Sequence, residues 1–77
     1  MAFLYETHLH TSAVSKCASA SPEEQVQRFR KYGYTGIIVT DHFLNGNTTV
    51  PRGLDWKDSI EAFCQGYERA RVAGKEW

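Results

Sequence analysis

The chain has 77 residues, enough for one small domain, and it contains no repeat, linker or low-complexity segment. Lysine plus arginine and aspartate plus glutamate number nine each, so there is neither the basic excess typical of nucleic-acid binding nor the acidic excess of a disordered tail. No apolar run approaches the ~20 residues that a membrane span needs. The pattern predicts a soluble, folded domain with no nucleic-acid or membrane partner.

The cysteine content indicates a reducing compartment. Cys17 and Cys64 are the two cysteines, and they are too few and too far apart for a disulfide framework or a Cys-x-x-Cys pair. Glu6 and His8 interrupt the N-terminal apolar stretch too early for a signal peptide. We therefore expect free thiols and a cytoplasmic location.

The first strand is predicted over residues 3–8 and is followed by a loop through Ala20 and a helix over 22–32. Ser21 and Glu24 have the spacing of a capping box at the helix start, and Gly33 is suited to the left-handed position that ends a helix. Val26, Phe29 and Tyr32 form the predicted buried stripe, whereas Gln25, Arg28 and Lys31 are predicted to face water.

A second strand is predicted over 36–40, where Ile37, Ile38 and Val39 form an unbroken apolar run typical of a strand buried on both faces of a parallel sheet. An irregular loop over 43–54 and a helix over 56–73 complete an α/β chain in β-α-β-α order. The apolar stripe predicted to face the core from this last helix is Trp56, Ile60, Phe63, Cys64 and Tyr67.

The three histidines of the chain lie in two short motifs that each follow an apolar run. His8 and His10 are two residues apart and so share one face of an extended strand. His42 and its neighbour Asp41 follow the second strand, and parallel strands place their carboxyl ends at one edge. Imidazole with carboxylate suits zinc, iron or manganese, so the sequence predicts a divalent metal site at this edge.

The segments Tyr5 to Thr11, Ser21 to Glu24 and Gly33 to His42 resemble, in order and spacing, the opening of a PHP domain, the polymerase and histidinol phosphatase family. The resemblance implies a seven-stranded (β/α) barrel with a multinuclear metal centre that hydrolyses phosphoesters. It implies that His8, His10 and His42 are metal ligands and that Asp41 orients a ligand. Residues 1–77 would then form the N-terminal part of one such domain, its first two β-α units.

The chain departs from the family pattern at two places near the histidines. Glu6 stands where the family has an aspartate, and we expect it to hydrogen-bond a metal ligand. The family's Asp-Gly or His-Gly after Thr11 is replaced by a segment containing Cys17, which we interpret as a loop thiol, with a soft zinc ligand as the alternative. Arg52 is interpreted as a solvated loop cation, with a contact to a substrate phosphate as the alternative.

The expected function is that of the N-terminal segment of a metal-dependent phosphoesterase acting on a small-molecule phosphoester. We expect this segment to be inactive alone, because later strands of the family supply further ligands, and whether it is itself an enzyme stays open. The alternatives are an amidohydrolase-type hydrolase and a non-catalytic metal-binding or interaction module. Because two strands leave one sheet face uncovered, self-association through that face is also predicted.

Overall fold

The computed structural model of the chain describes residues 3–75 and 77. Its elements, in order, are β1 (Tyr5–Leu9), α1 (Pro22–Lys31), β2 (Gly36–Val39), α2 (Trp56–Phe63) and α3 (Gln65–Ala73). The strands pair in parallel as a two-stranded sheet, and α1 connects them. The predicted α/β class, the strand direction and the order of the first three elements are confirmed.

Helix α1 begins as its sequence predicts. The Ser21 hydroxyl accepts a hydrogen bond from the Glu24 backbone N–H at 3.1 Å, and the Glu24 carboxylate accepts one from the Ser21 N–H at 3.1 Å. The hydrogen bond that the Ser21 N–H donates to the carboxylate is the main cause that lowers the pKa of Glu24. Gly33 adopts a φ of 82°, a left-handed conformation that glycine reaches without strain. The capping box and the glycine stop are thus both confirmed.

The predicted faces of α1 are partly wrong. Gln25 was expected to face water, but it is buried, and its amide donates a hydrogen bond to the His10 carbonyl at 3.2 Å. Tyr32 was expected in the apolar stripe, but it is 70% exposed. The reason is that Tyr32 lies past the last helical turn, whereas Gln25 meets the end of β1.

The predicted single helix over 56–73 is two helices, α2 and α3, which meet at Cys64. At this break the Gln65 side-chain amide donates to the Glu61 carbonyl at 3.3 Å. The Gln65 amide competes for a helix carbonyl and Gly66 has a low helix propensity, so both residues weaken the helix at this point. Gly74 caps the end of α3 as predicted.

The aromatic stripe of this region does not form the expected core. Trp56 is 70% exposed and Tyr67 is 52% exposed, while Phe63 is half-buried and packs edge-to-face on Phe43 with ring centroids 5.0 Å apart. Ile38 is 51% exposed, so β2 is not buried on both faces. The helices α1 and α3 pack against each other and against β2. Within the described residues, this packing leaves the side chains of Ile38, Trp56 and Tyr67 largely exposed.

The core consists of aliphatic side chains, some from the end of β1 and the loops that follow the strands, and others from α1 and α3. The loops that follow β1 and β2 pack together, since the Val14 carbonyl accepts from the Thr49 N–H at 2.7 Å and from the Thr48 hydroxyl at 2.9 Å. The buried apolar residues are Leu9, Val14, Ala20, Val26, Val50 and Ala70. This loop-to-loop packing supports the candidate site.

No helix formed by residues 3–75 and 77 is long and apolar enough to cross a membrane.

Candidate metal centre

The three histidines lie together at the carboxyl ends of the two strands, His8 within β1 and His10 and His42 in the segments that follow β1 and β2. The ring centroids of His8 and His10 are 4.9 Å apart, and those of His10 and His42 are 4.3 Å apart. His10 and His42 are half-buried, while His8 is exposed. Tertiary structure thus brings together the two histidine motifs, which are separated by about thirty residues in sequence.

His10 is held in one ring orientation by the end of β2. Its Nδ1 lies 2.6 Å from the Thr40 carbonyl oxygen, and because a carbonyl only accepts, the ring nitrogen donates. Nε2 is then the nitrogen with a lone pair available to a ligand. Metal-binding histidines usually donate their other ring N–H to a carbonyl or carboxylate in this way. The Thr40 carbonyl therefore prepares His10 for a metal on its Nε2 side.

Cys17 joins this pair of histidines. One ring nitrogen each of His10 and His42 and the Cys17 sulfur all lie within 4.8 Å of one another. The sequence favoured an ordinary loop thiol for Cys17 and left a soft zinc ligand as the alternative, and the structure places Cys17 where that alternative requires it. His8 lies outside this three-residue group among the described residues.

Asp41 positions the site through the backbone, and its carboxylate contacts no imidazole within the described part of the chain. It accepts hydrogen bonds from the Thr11 N–H at 2.5 Å, the Thr11 hydroxyl at 3.0 Å and the Ser15 hydroxyl at 2.9 Å. The Ser15 oxygen in turn accepts the His42 N–H at 2.9 Å. Thr11 and Ser15 are fully buried. Asp41 therefore ties the loop after β1 to His42.

Gly66 allows α3 to approach this network. A Cβ added at Gly66 would overlap the Asp41 carboxylate and the Thr11 hydroxyl. Only a glycine lets the helix backbone pass so close to them. The only sequence signal for this contact is a glycine inside a helical pattern, which does not identify its partner.

The two other residues singled out in the sequence lie apart from the metal ligands. Glu6 accepts the His8 backbone N–H at 3.0 Å, so it contacts the backbone of the motif and not an imidazole. Arg52 is exposed and lines a pocket of about 220 Å³ with Leu44, Val50 and Ser59. None of the histidines lines that pocket.

The donor set fits a borderline or soft divalent cation. Two imidazoles and a thiol are typical zinc ligands, and with Zn–N near 2.0 Å and Zn–S near 2.3 Å, tetrahedral ligand atoms lie about 3.3–3.8 Å apart. The group spans at most 4.8 Å, so side-chain adjustments of about 1 Å would suffice to enclose zinc. The fold and the residues together therefore define a candidate metal centre.

No family model, curated protein or solved structure matches the chain. The geometry of this centre is therefore what indicates a function.

Proposed function

We propose that the chain binds a divalent transition metal between His10 and His42, zinc being the best fit, as part of a PHP-type phosphoesterase centre. The observation that carries the metal site is the 2.6 Å hydrogen bond from His10 Nδ1 to the Thr40 carbonyl, beside the His42 ring. It fixes the tautomer that a ligand histidine needs. Phosphoesterase activity is the more specific part of the proposal.

The position of the site supports a hydrolase. The histidines lie at the carboxyl ends of parallel strands, where α/β enzymes place their catalytic residues. The motifs that hold them are the ones that resemble the PHP family. A metal bound there would lower the pKa of a water molecule and neutralise charge on a phosphate.

The chain's own residues would hold the metal in place. His10 and His42 would ligate it, the Thr40 carbonyl would orient His10, and Asp41 would hold the His42 backbone through Ser15. The arrangement of β1, α1 and β2 is compatible with the first units of a (β/α) barrel. In such a barrel, a third strand would occupy the free edge of β2.

A second candidate function is a non-catalytic metal-binding module. The observation that favours it is Cys17, because thiolate ligands are common in structural zinc sites that leave no position open for substrate. The two candidates agree on the metal and differ on hydrolysis.

Calorimetric titration with Zn²⁺ and Mn²⁺ tests the metal site. We expect His10→Ala and His42→Ala each to weaken zinc binding by at least ~10-fold, as even the loss of an indirect partner does. Lys57→Ala, on the exposed face of α2, is the matched control and should bind like the unaltered chain. Absence of zinc binding at millimolar concentration would refute the proposal.

Hydrolysis of a generic aryl phosphate with zinc or manganese separates the two candidates. The described residues offer one group of three ligands, whereas a two-metal phosphoesterase site needs further donors. We therefore expect turnover of the aryl phosphate only in a chain that continues past Trp77 and supplies the further metal ligands. In that longer chain, His10→Ala should abolish the turnover. Metal binding without hydrolysis in that longer chain would favour the non-catalytic module.

A further inference from the structure

We infer that the Cys17 thiolate, and not the His8 imidazole, is the third ligand of this centre, which makes it selective for thiophilic cations such as zinc over manganese. The inference rests on the proposed metal site and names its ligand set.

The relative positions of the side chains favour Cys17 over His8. The Cys17 sulfur lies within 4.8 Å of ligand nitrogens of both His10 and His42. His8 is exposed, and its one ring contact with a described residue is to His10, edge-on at an interplanar angle of 74°. A single cation can therefore contact His10, His42 and Cys17 together, with His8 at the side.

Backbone hydrogen bonds fix the loop that carries Cys17. The Ser12 N–H donates to the Ala20 carbonyl at 2.9 Å and closes the loop at its base. The residues on either side of the cysteine are also held, because the Lys16 N–H donates to the Asn47 carbonyl at 2.9 Å and the Ala18 N–H donates to the Ser15 carbonyl at 3.2 Å. The loop therefore presents the thiol at a defined place.

The same loop is connected to His42. Ser15, two residues before Cys17, is 1% exposed, and its hydroxyl oxygen accepts the His42 N–H. The adjacent Val14 is fully buried and anchors the loop in the core. One buried segment therefore sets the separation between the thiol and the His42 ring, as a built ligand set requires.

The donor types decide the preferred metal. No carboxylate from residues 3–75 and 77 belongs to the group. Both Asp41 oxygens are engaged, because Oδ1 accepts from the Thr11 N–H and the Ser15 hydroxyl and Oδ2 accepts from the Thr11 hydroxyl. Two nitrogens and one sulfur suit zinc, whereas manganese prefers oxygen ligands. The exposed side of Cys17 leaves a path for the ion to enter.

Cobalt substitution tests the ligand assignment directly, because a thiolate bound to Co²⁺ gives a near-ultraviolet charge-transfer band that imidazole ligands do not. The probe is Co²⁺ alone, added to the unaltered chain, Cys17→Ser, Cys64→Ser and His8→Ala. Cys64 is the matched control, since it is the other free cysteine and lies outside the group. Circular dichroism checks that each variant is folded.

We expect the band in the unaltered chain, Cys64→Ser and His8→Ala, and its loss in Cys17→Ser. Competition with Zn²⁺ should show at least ~10-fold weaker zinc affinity in Cys17→Ser, with Mn²⁺ affinity unchanged. Co²⁺ binding to the unaltered chain without the band, or equal zinc affinities of Cys17→Ser and Cys64→Ser, would overturn the inference and leave the proposed metal site standing. Absence of binding by any of these ions would overturn both.

Discussion

At Asp41, one carboxylate holds together three parts of the chain. It receives the Thr11 N–H, the Thr11 hydroxyl and the Ser15 hydroxyl, and Gly66 of α3 passes beside it. Hydrogen bonds to a charged group contribute more to stability than neutral ones, and unsatisfied buried donors are costly. Asp41 is thus important both for stability and for the position of His42.

We predict that Asp41→Asn lowers the free energy of unfolding by about 1–3 kcal/mol, because the amide cannot accept on both of its side-chain polar atoms. It should also weaken zinc binding by ~10-fold, since the Ser15 contact to His42 loosens. Urea unfolding and zinc titration measure the two effects. The control is Asp58→Asn on the exposed surface of α2, and equal behaviour of the two variants would contradict this role for Asp41.

Among the elements, α3 depends on a glycine for its position. Alanine normally favours a helix over glycine by about 1 kcal/mol. At Gly66, however, the added methyl would overlap Asp41 and Thr11, so the helix must shift. The steric cost should exceed the propensity gain.

We predict that Gly66→Ala destabilises the chain by about 1–3 kcal/mol, the usual cost of inserting a methyl group into a packed site. Chemical denaturation measures it. Gly74→Ala is the comparison, since its added Cβ would meet the Ala70 carbonyl at 3.2 Å, away from Asp41. A neutral or stabilising Gly66→Ala would show that α3 does not pack against Asp41 as described.

An ion pair joins α1 to α3. The Arg69 guanidinium donates two hydrogen bonds to the Glu23 carboxylate, at 2.9 and 2.5 Å, and this contact lowers the pKa of Glu23 and raises that of Arg69. Both side chains are partly exposed, Glu23 at 42% and Arg69 at 46%. Solvent therefore screens the pair, and its contribution to stability is modest.

We predict that Glu23→Gln costs at most about 1 kcal/mol of stability at neutral pH and less at high salt. Because the folded-state pKa of Glu23 is lowered, its contribution exists above the ordinary value of 4.5 and disappears as pH falls through the folded value. Unfolding from pH 7 to pH 2 measures this. A difference from the unaltered chain that persists at the lowest pH would contradict the ion-pair explanation.

At the scale of the whole molecule, the chain is more open than a typical domain of its size. Its radius of gyration is 13.0 Å, against about 11.5 Å from the usual scaling. Its accessible surface is 5373 Å², against roughly 4,800 Å² expected for a monomer of this mass. The larger accessible surface agrees with the exposure of the Ile38 and Tyr67 side chains.

Ile38 and Tyr67 border an apolar groove of about 580 Å³ between β2 and α3. Within the described sheet, β2 pairs only with β1, so its other edge has unpaired backbone groups. An unpaired edge beside apolar side chains favours association with another strand. We expect a second copy of the chain to occupy this groove when the chain is alone in solution.

We predict concentration-dependent self-association that Ile38→Lys reduces, because a charge on an edge strand opposes pairing between sheets. Analytical ultracentrifugation over a range of concentrations measures it. Tyr32→Lys is the matched control, since Tyr32 is 70% exposed but does not line the groove. A monomer at all concentrations, or equal effects of both substitutions, would refute association through this edge.

The sequence by itself determined the features that depend on neighbouring residues. Ser21 and Glu24 specify the start of α1 because both partners of the capping box lie within one turn. Gly33 specifies its end through backbone conformation. The β-branched run at Ile37 predicts a buried strand of a parallel sheet, and the helix between the two strands predicts the crossover that parallel pairing needs. The meeting of the two histidine motifs followed from that topology.

Only the tertiary structure decided which side chains are covered and which loop residues meet. Burial depends on neighbours distant in sequence, so Gln25 is buried under the end of β1 while Trp56 remains exposed. The place of Cys17 beside His10 depends on how one loop hydrogen-bonds another, through contacts such as Lys16 to Asn47. No periodic pattern encodes such loop contacts, because they arise from the packing of irregular segments.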